Sequence, residues 1–154
     1  MNTSPTIHAS AVLVGSRAVL IQGPSGCGKS RLALALTQAQ AAGLVPFARL
    51  VADDRAHVEA RHDRLLVRPA EALAGLIEVR GLGIRKLPYE PVAVASLLVD
   101  LGQSGVDRLR ASAEQALIAG IALPKLRIPA GAEALPLLLA HWQTTAITDH
   151  IAVR

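Results

Sequence analysis

The chain has 154 residues, of which 51% are apolar but only Phe47, Tyr89 and Trp142 are aromatic, and its formal net charge is +4. That length fits one domain, residues 1–154, with a core built from Leu, Val, Ile and Ala. The arginines are scattered, with no run of like charge and no interleaved aromatics. This argues against a single-strand nucleic-acid groove and fits an enzyme of polyanionic substrates or a solvated surface.

A lone cysteine, Cys27, excludes an intramolecular disulfide and a cysteine-based zinc site and points to a reducing cytoplasm. No uncharged apolar run approaches ~18 residues, and the polar start "MNTSPTIHAS" lacks the regions of a signal peptide. The expectation is a soluble cytoplasmic protein without a membrane segment.

In chain order, "SAVLVG" and "RAVLIQG" read as two strands joined at Gly15-Ser16, a hairpin signal. "GPSGCGKS" follows, then "SRLALALTQAQAA", which lacks Gly and Pro and predicts a helix closed by Gly43. "FARLVADD" predicts a strand, and "AHVEAR" and "RLLVRPA" two more around the polar turn at Arg61 to Arg64. "PAEALAG" has proline at a helix start. "LIEVRGLGI" and "VAVASLLVDL" are β-rich. "QALIAGIALPKLRIPA" reads as extended because Pro124 and Pro129 exclude a long helix. "GAEALPLLLAHWQTTAITDHIA" predicts a closing helix whose start Pro136 delays. Many strands and two or three helices predict an α/β (α+β mixed) fold, a mixed β-sheet packed by helices rather than an evenly alternating doubly wound one.

"GPSGCGKS" fits the phosphate-loop pattern G-x-x-x-x-G-K-[ST]. It comprises Gly23, Pro24, Ser25, Gly26, Cys27, Gly28, Lys29 and Ser30. Between a strand and a helix N-terminus, its glycines let backbone N–H groups turn toward phosphates while the helix dipole adds positive charge. Lys29 would reach the β/γ-phosphates and the Ser30 hydroxyl would hold Mg²⁺. Cys27 reads as a small filler in that loop. The pattern identifies a nucleotide site, but many reaction types use it.

A phosphotransfer site also needs metal ligands and a base. "RLVADD" places Asp53 and Asp54 at the end of an apolar strand, and strand alternation would point the two carboxylates in different directions. One would face Mg²⁺ or an acceptor hydroxyl while the other supports the loop; an exposed pair of turn aspartates is the alternative. Glu78 in "IEVRGLGI" is the next candidate, because a carboxylate inside an apolar strand needs a partner such as a metal or Arg80. An outward-facing edge residue is the alternative there. His8 begins the first strand region, and an isolated histidine is more often structural.

Four segments together, "GPSGCGKS", "LVADDR", "IEVRGLGI" and "DRL" at Asp107 to Leu109, resemble the C-terminal catalytic domain of HPr kinase/phosphorylase. That bacterial enzyme phosphorylates a serine of the phosphocarrier protein HPr. The resemblance covers nearly the whole chain in order, with His8 at the family's spacing, and implies a short form without the family's N-terminal domain. It implies a P-loop kinase domain with a fold shared with phosphoenolpyruvate carboxykinase, ATP and Mg²⁺ as cofactors, HPr as partner, and a homo-oligomer, hexameric in known members. Asp53 looks like the base that takes the acceptor serine's proton, and Asp54 supports it. Lys29 and the loop hold nucleotide phosphates, and Ser30 and Glu78 look like Mg²⁺ ligands. His8 is similar to a residue near the phosphates, and Arg108 to an arginine needed mainly for dephosphorylation. Ile77, Glu78, Val79, Arg80, Gly81, Leu82, Gly83 and Ile84 fall in the family's signature segment.

Two departures from the family pattern bear on direction. Arg31 opens the helix where a glutamate is common. The segment after the Pro-Lys strand reads "IPAGAE", without the basic residues associated with dephosphorylation, so kinase activity is expected with weak phosphorylase activity. The alternatives are a small-molecule P-loop kinase and a non-catalytic nucleotide sensor that binds HPr or a histidine kinase. The absence of N-K-x-D and L-S-G-G-Q argues against GTPase and transporter ATPase readings. A nucleic-acid binder would show steeply salt-dependent affinity for DNA.

Overall fold

The computed structural model describes residues 5–103 and 114–144. β1 (Thr6–Ile7), β2 (Ser10–Val14) and β3 (Arg17–Gln22) precede α1 (Lys29–Ala41). β4 (Ala48–Ala52), β5 (Ala56–Arg61) and β6 (Arg64–Pro69) follow, then a 3₁₀ turn at Glu71–Leu73. β7 (Leu76–Val79), β8 (Gly83–Lys86), β9 (Ala93–Gln103), β10 (Glu114–Ile118), β11 (Ile121–Pro129) and α2 (Ala134–Gln143) are the remaining described elements. No described helix is long and apolar enough to cross a membrane.

One mixed sheet has the order β1-β5-β6-β9-β3-β2-β4, with β11 also paired to β9 and β10 to β11; β7 and β8 form a separate hairpin. β2 runs antiparallel to both β3 and β4, while β9 is parallel to β3 and β11 is parallel to β9. β3, β4, β9 and β11 therefore end on one edge. That carboxyl edge is where open α/β sheets bind ligands.

Alternation along the strands splits the core into two layers. Val12, Val19, Ile21, Leu97 and Val99 face α1, meeting its buried stripe of Leu32, Ala33, Leu36 and Ala39, with Leu138 of α2 and Ile77 of β7 in the same cluster. Ala11, Ala18, Leu20 and Leu98 face the other way, toward Val58, Leu65 and Val67 of the β5–β6 hairpin and Leu123 of β11. Small and aliphatic side chains fill both layers, as the shortage of aromatics requires.

Three predicted elements differ from the structure. "PAEALAG" makes only the 3₁₀ turn, because Pro69 belongs to β6 and too few residues remain to nucleate an α-helix. The run at "QALIAGIALPKLRIPA" is extended but folds back on itself: Ala119 and Gly120 take positive φ and join β10 to β11 as a hairpin. Pro136 does not delay α2, which starts at Ala134, because a proline in the first turn lacks only an N–H that has no helical partner anyway. Asp107, Arg108 and Leu109 lie outside the described residues.

Candidate active site

The phosphate loop connects β3 to α1 at the carboxyl edge, and its backbone is set by glycine. Gly28 caps α1 at φ 105, with no capping side chain and no acidic residue in the first turn. The first-turn N–H groups thus keep their bonding capacity for an anion. Lys29 Nζ arches back over the loop, donating to the carbonyls of Gly23 at 3.1 Å and Pro24 at 3.4 Å. An ammonium group held at the mouth of an amide cradle is matched to a polyphosphate, so the residues present fit a nucleotide.

Packing fixes the loop from beneath. Cys27 is half-buried against the helix-side core, in keeping with a filler role. A Cβ on Gly23, at φ 155, would lie 2.5 Å from Cys27 Sγ and 2.9 Å from the Leu101 carbonyl oxygen of β9. Gly23→Ala is therefore expected to lower stability by roughly 1–3 kcal/mol, as overpacking does. It should also weaken ATP binding at least about tenfold, the effect of losing one well-placed charge-assisted bond. Thermal denaturation and calorimetry check this, and an unchanged midpoint and affinity would refute it.

Asp53 follows directly on β4. A bulge sets Ala11 of β2 opposite Ala52 but Val12 opposite Leu50, so Val51 is the extra residue. Val51 and Ala52 consequently join the same core layer, and simple alternation fails just before the aspartates. The two carboxylates do diverge, but the turn decides it. Asp53 is only 7% exposed, whereas Asp54 is exposed and left-handed at φ 67, a conformation aspartate tolerates better than most residues.

The buried carboxylate gathers the site. Its Oδ1 accepts 2.7 Å hydrogen bonds from Ser30 Oγ of the phosphate loop and from Ser10 Oγ of β2. Its Oδ2 accepts the main-chain N–H of Glu78 at 3.3 Å. Ser30 has one proton, and giving it to Asp53 leaves the hydroxyl's lone pairs free for a cation. The arrangement suits Mg²⁺, which binds through few protein oxygens and retains water and phosphate ligands. No group of three or more His, Cys, Asp or Glu that could hold a metal occurs among the described residues.

The other sequence candidates sit around this center in different ways. Asp54 contributes its main chain, donating its N–H to Ser10 Oγ at 3.2 Å, while its carboxylate points outward. Glu78 likewise engages Asp53 through its backbone; its side chain on β7 is exposed, so hydration removes the need for a partner inside an apolar strand. Ile77 anchors the signature segment in the core, and Arg80, Leu82 and Ile84 are exposed on the β7–β8 hairpin. His8 is exposed in the bend between β1 and β2, two residues before Ser10. Arg31 is exposed in the first turn of α1. Sequence reasoning missed Ser10, whose one signal is a lone hydroxyl opening an otherwise apolar strand. It also missed Asp100, which lies on β9 opposite Gln22, the last residue of β3, and pairs with Lys125 at 3.3 Å.

The family model for the HPr Serine kinase C-terminal domain matches residues 1–89, which include the phosphate loop, both aspartates and Glu78. HPr kinase/phosphorylases of Streptococcus pneumoniae strains D39 and R6 are each 35% identical over 138 residues, covering 80% of this chain. The chain spans 42% and 41% of the length of these relatives. The solved HPr(Ser) kinase/phosphatase of Coxiella burnetii superposes with a TM-score of 0.72 at 26% identity, over 88% of this chain and 91% of that one. The chain belongs to the HPr serine kinase C-terminal domain family.

Proposed function

We propose that the chain is an ATP- and Mg²⁺-dependent protein serine kinase whose acceptor is a serine of the phosphocarrier protein HPr. The observation that carries this reading is the 2.7 Å bond from Ser30 to Asp53, which couples the phosphate loop to a buried strand-end carboxylate. Phosphoryl transfer depends on in-line positioning and charge neutralisation more than on covalent help from the protein. Bound Mg·ATP supplies the transferable group and the charge that offsets it. The loop amides and Lys29 hold the phosphates, and Ser30 and the Glu78 carboxylate are the side chains that would hold the metal. Asp53 Oδ1 is fully engaged, so Oδ2 takes the proton of the acceptor serine. As the serine oxygen bonds to phosphorus, the bridging bond to ADP breaks.

The reading includes a direction. β11 carries Lys125 and Arg127, but Lys125 is paired with Asp100, and Arg127 Nε lies 2.8 Å from Glu114 Oε2, close enough for an ion pair though not aligned as a hydrogen bond. The turn after β11 offers Ala130, Gly131 and Ala132, with Glu133 capping α2. Reversal brings inorganic phosphate to an already anionic phosphoserine, and each missing cation costs on the order of 1–3 kcal/mol, the scale of a charge-assisted bond. The test is purified protein with Mg·ATP and HPr from the same organism, read by mass spectrometry for phosphoserine. Phosphoserine-HPr with saturating phosphate is run in parallel and read for pyrophosphate. Forward transfer well above reversal is expected. Binding of ATP and HPr without phosphoserine would replace the kinase reading with a nucleotide sensor, and comparable rates would overturn the direction.

A further inference from the structure

Among the described residues, Ser10 is one of two polar or charged residues in the buried core, and the other is Asp53. A fully buried hydroxyl must find partners, and Ser10 uses both of its capacities on the aspartate turn. It donates to Asp53 Oδ1 at 2.7 Å and accepts the Asp54 N–H at 3.2 Å. Topology brings it there. β2 is antiparallel to its two neighbours, so its first residue lies where both of them end, opposite Ile21 of β3 and next to the Ala11–Ala52 pair of β4.

We propose that Ser10 is a positioning residue for phosphoryl transfer, an inference that rests on Asp53 being the proton acceptor. Two hydroxyl donors, Ser10 and Ser30, saturate Oδ1, whereas Oδ2 accepts one main-chain N–H at 3.3 Å. An ionised carboxylate has about four acceptor sites, so the unoccupied capacity lies mainly on Oδ2. Ser10 thereby selects which oxygen meets the acceptor serine. Through the Asp54 N–H it also holds the left-handed turn that keeps the second carboxylate outside. Ser30 alone cannot do this, because its position follows the loop and whatever the loop binds.

The test is a double-mutant cycle on the full chain, with HPr phosphorylation measured at saturating Mg·ATP and nucleotide affinity measured by calorimetry. Ser10→Ala is expected to lower kcat by roughly 10- to 100-fold, within the range of a general base's contribution. The ATP dissociation constant should stay within about threefold, because both hydrogen bonds of Ser10 go to the aspartate turn rather than to the loop. In the Asp53→Asn background the same change should alter the residual rate less than about twofold, since residues acting as a unit are non-additive. A merely structural hydroxyl would slow both backgrounds equally, and that result overturns the proposal. If Asp53→Asn is slow while Ser10→Ala matches the parent, the Ser10 proposal alone is overturned. If Asp53→Asn is as fast as the parent, or the parent forms no phosphoserine, the underlying reading fails and the proposal falls with it.

Discussion

Asp53→Asn is expected to remove most of the proposed kinase turnover while leaving the domain able to bind nucleotide. An amide cannot accept the serine proton, and a positioned base contributes ~10²–10⁴-fold. The expected fall in kcat corresponds to roughly 3–5 kcal/mol of transition-state stabilisation. Stability should fall as well. Asp53 accepts three hydrogen bonds in its buried site, from Ser10, Ser30 and the Glu78 N–H. An asparagine with its oxygen toward the two hydroxyls turns its nitrogen toward the Glu78 N–H, donor against donor. Losing one such bond in a buried site costs about 1–3 kcal/mol. Steady-state kinetics, calorimetry and thermal melts separate these effects. A drop in kcat of less than about tenfold would remove Asp53 from the role of base.

Lys29→Ala is expected to abolish the proposed tight binding of Mg·ATP with little effect on folding. The ammonium group is the one cation whose described hydrogen bonds fold it back over the loop, on the Gly23 and Pro24 carbonyls. Those two bonds are marginal to stability, being long and partly exposed, so the melting midpoint should move by the equivalent of about 1 kcal/mol or less. The charge matters far more to a polyphosphate: a bond to a charged group is worth about 1.5–3 kcal/mol, or roughly 10- to 150-fold in affinity. The amide cradle and the end of α1 remain, so weak residual binding is expected. Calorimetry with Mg·ATP checks this result, and an unchanged affinity would withdraw the nucleotide assignment from this loop. Glycine at position 28 would then need another explanation.

Local pattern carried much of the fold. The glycine loop between a short apolar run and an Ala/Leu-rich segment determined β3, the cradle and α1, because period, capping and glycine geometry all act within a few residues. The apolar runs likewise determined β2, β4, β5, β6 and β9, and the scarcity of helical segments determined a mixed sheet. Asp53 and Asp54 were legible as an acidic pair at a strand end. Their division of labour was not. Which carboxylate is buried depends on a bulge opposite Ala11 and on the left-handed turn at Asp54, both set by strand register. The hairpin within "QALIAGIALPKLRIPA" was hidden for a related reason: continuous apolar character does not reveal where a chain reverses. Ser10 and the Glu78 N–H lie 43 and 25 residues from Asp53, and no local signal connects such positions. The sequence by itself determined the chemistry available at the carboxyl edge, a phosphate cradle, a lysine and two aspartates. Only the tertiary structure decided that one aspartate is enclosed by three donors while the other faces water, because that choice rests on contacts between strands distant in the chain.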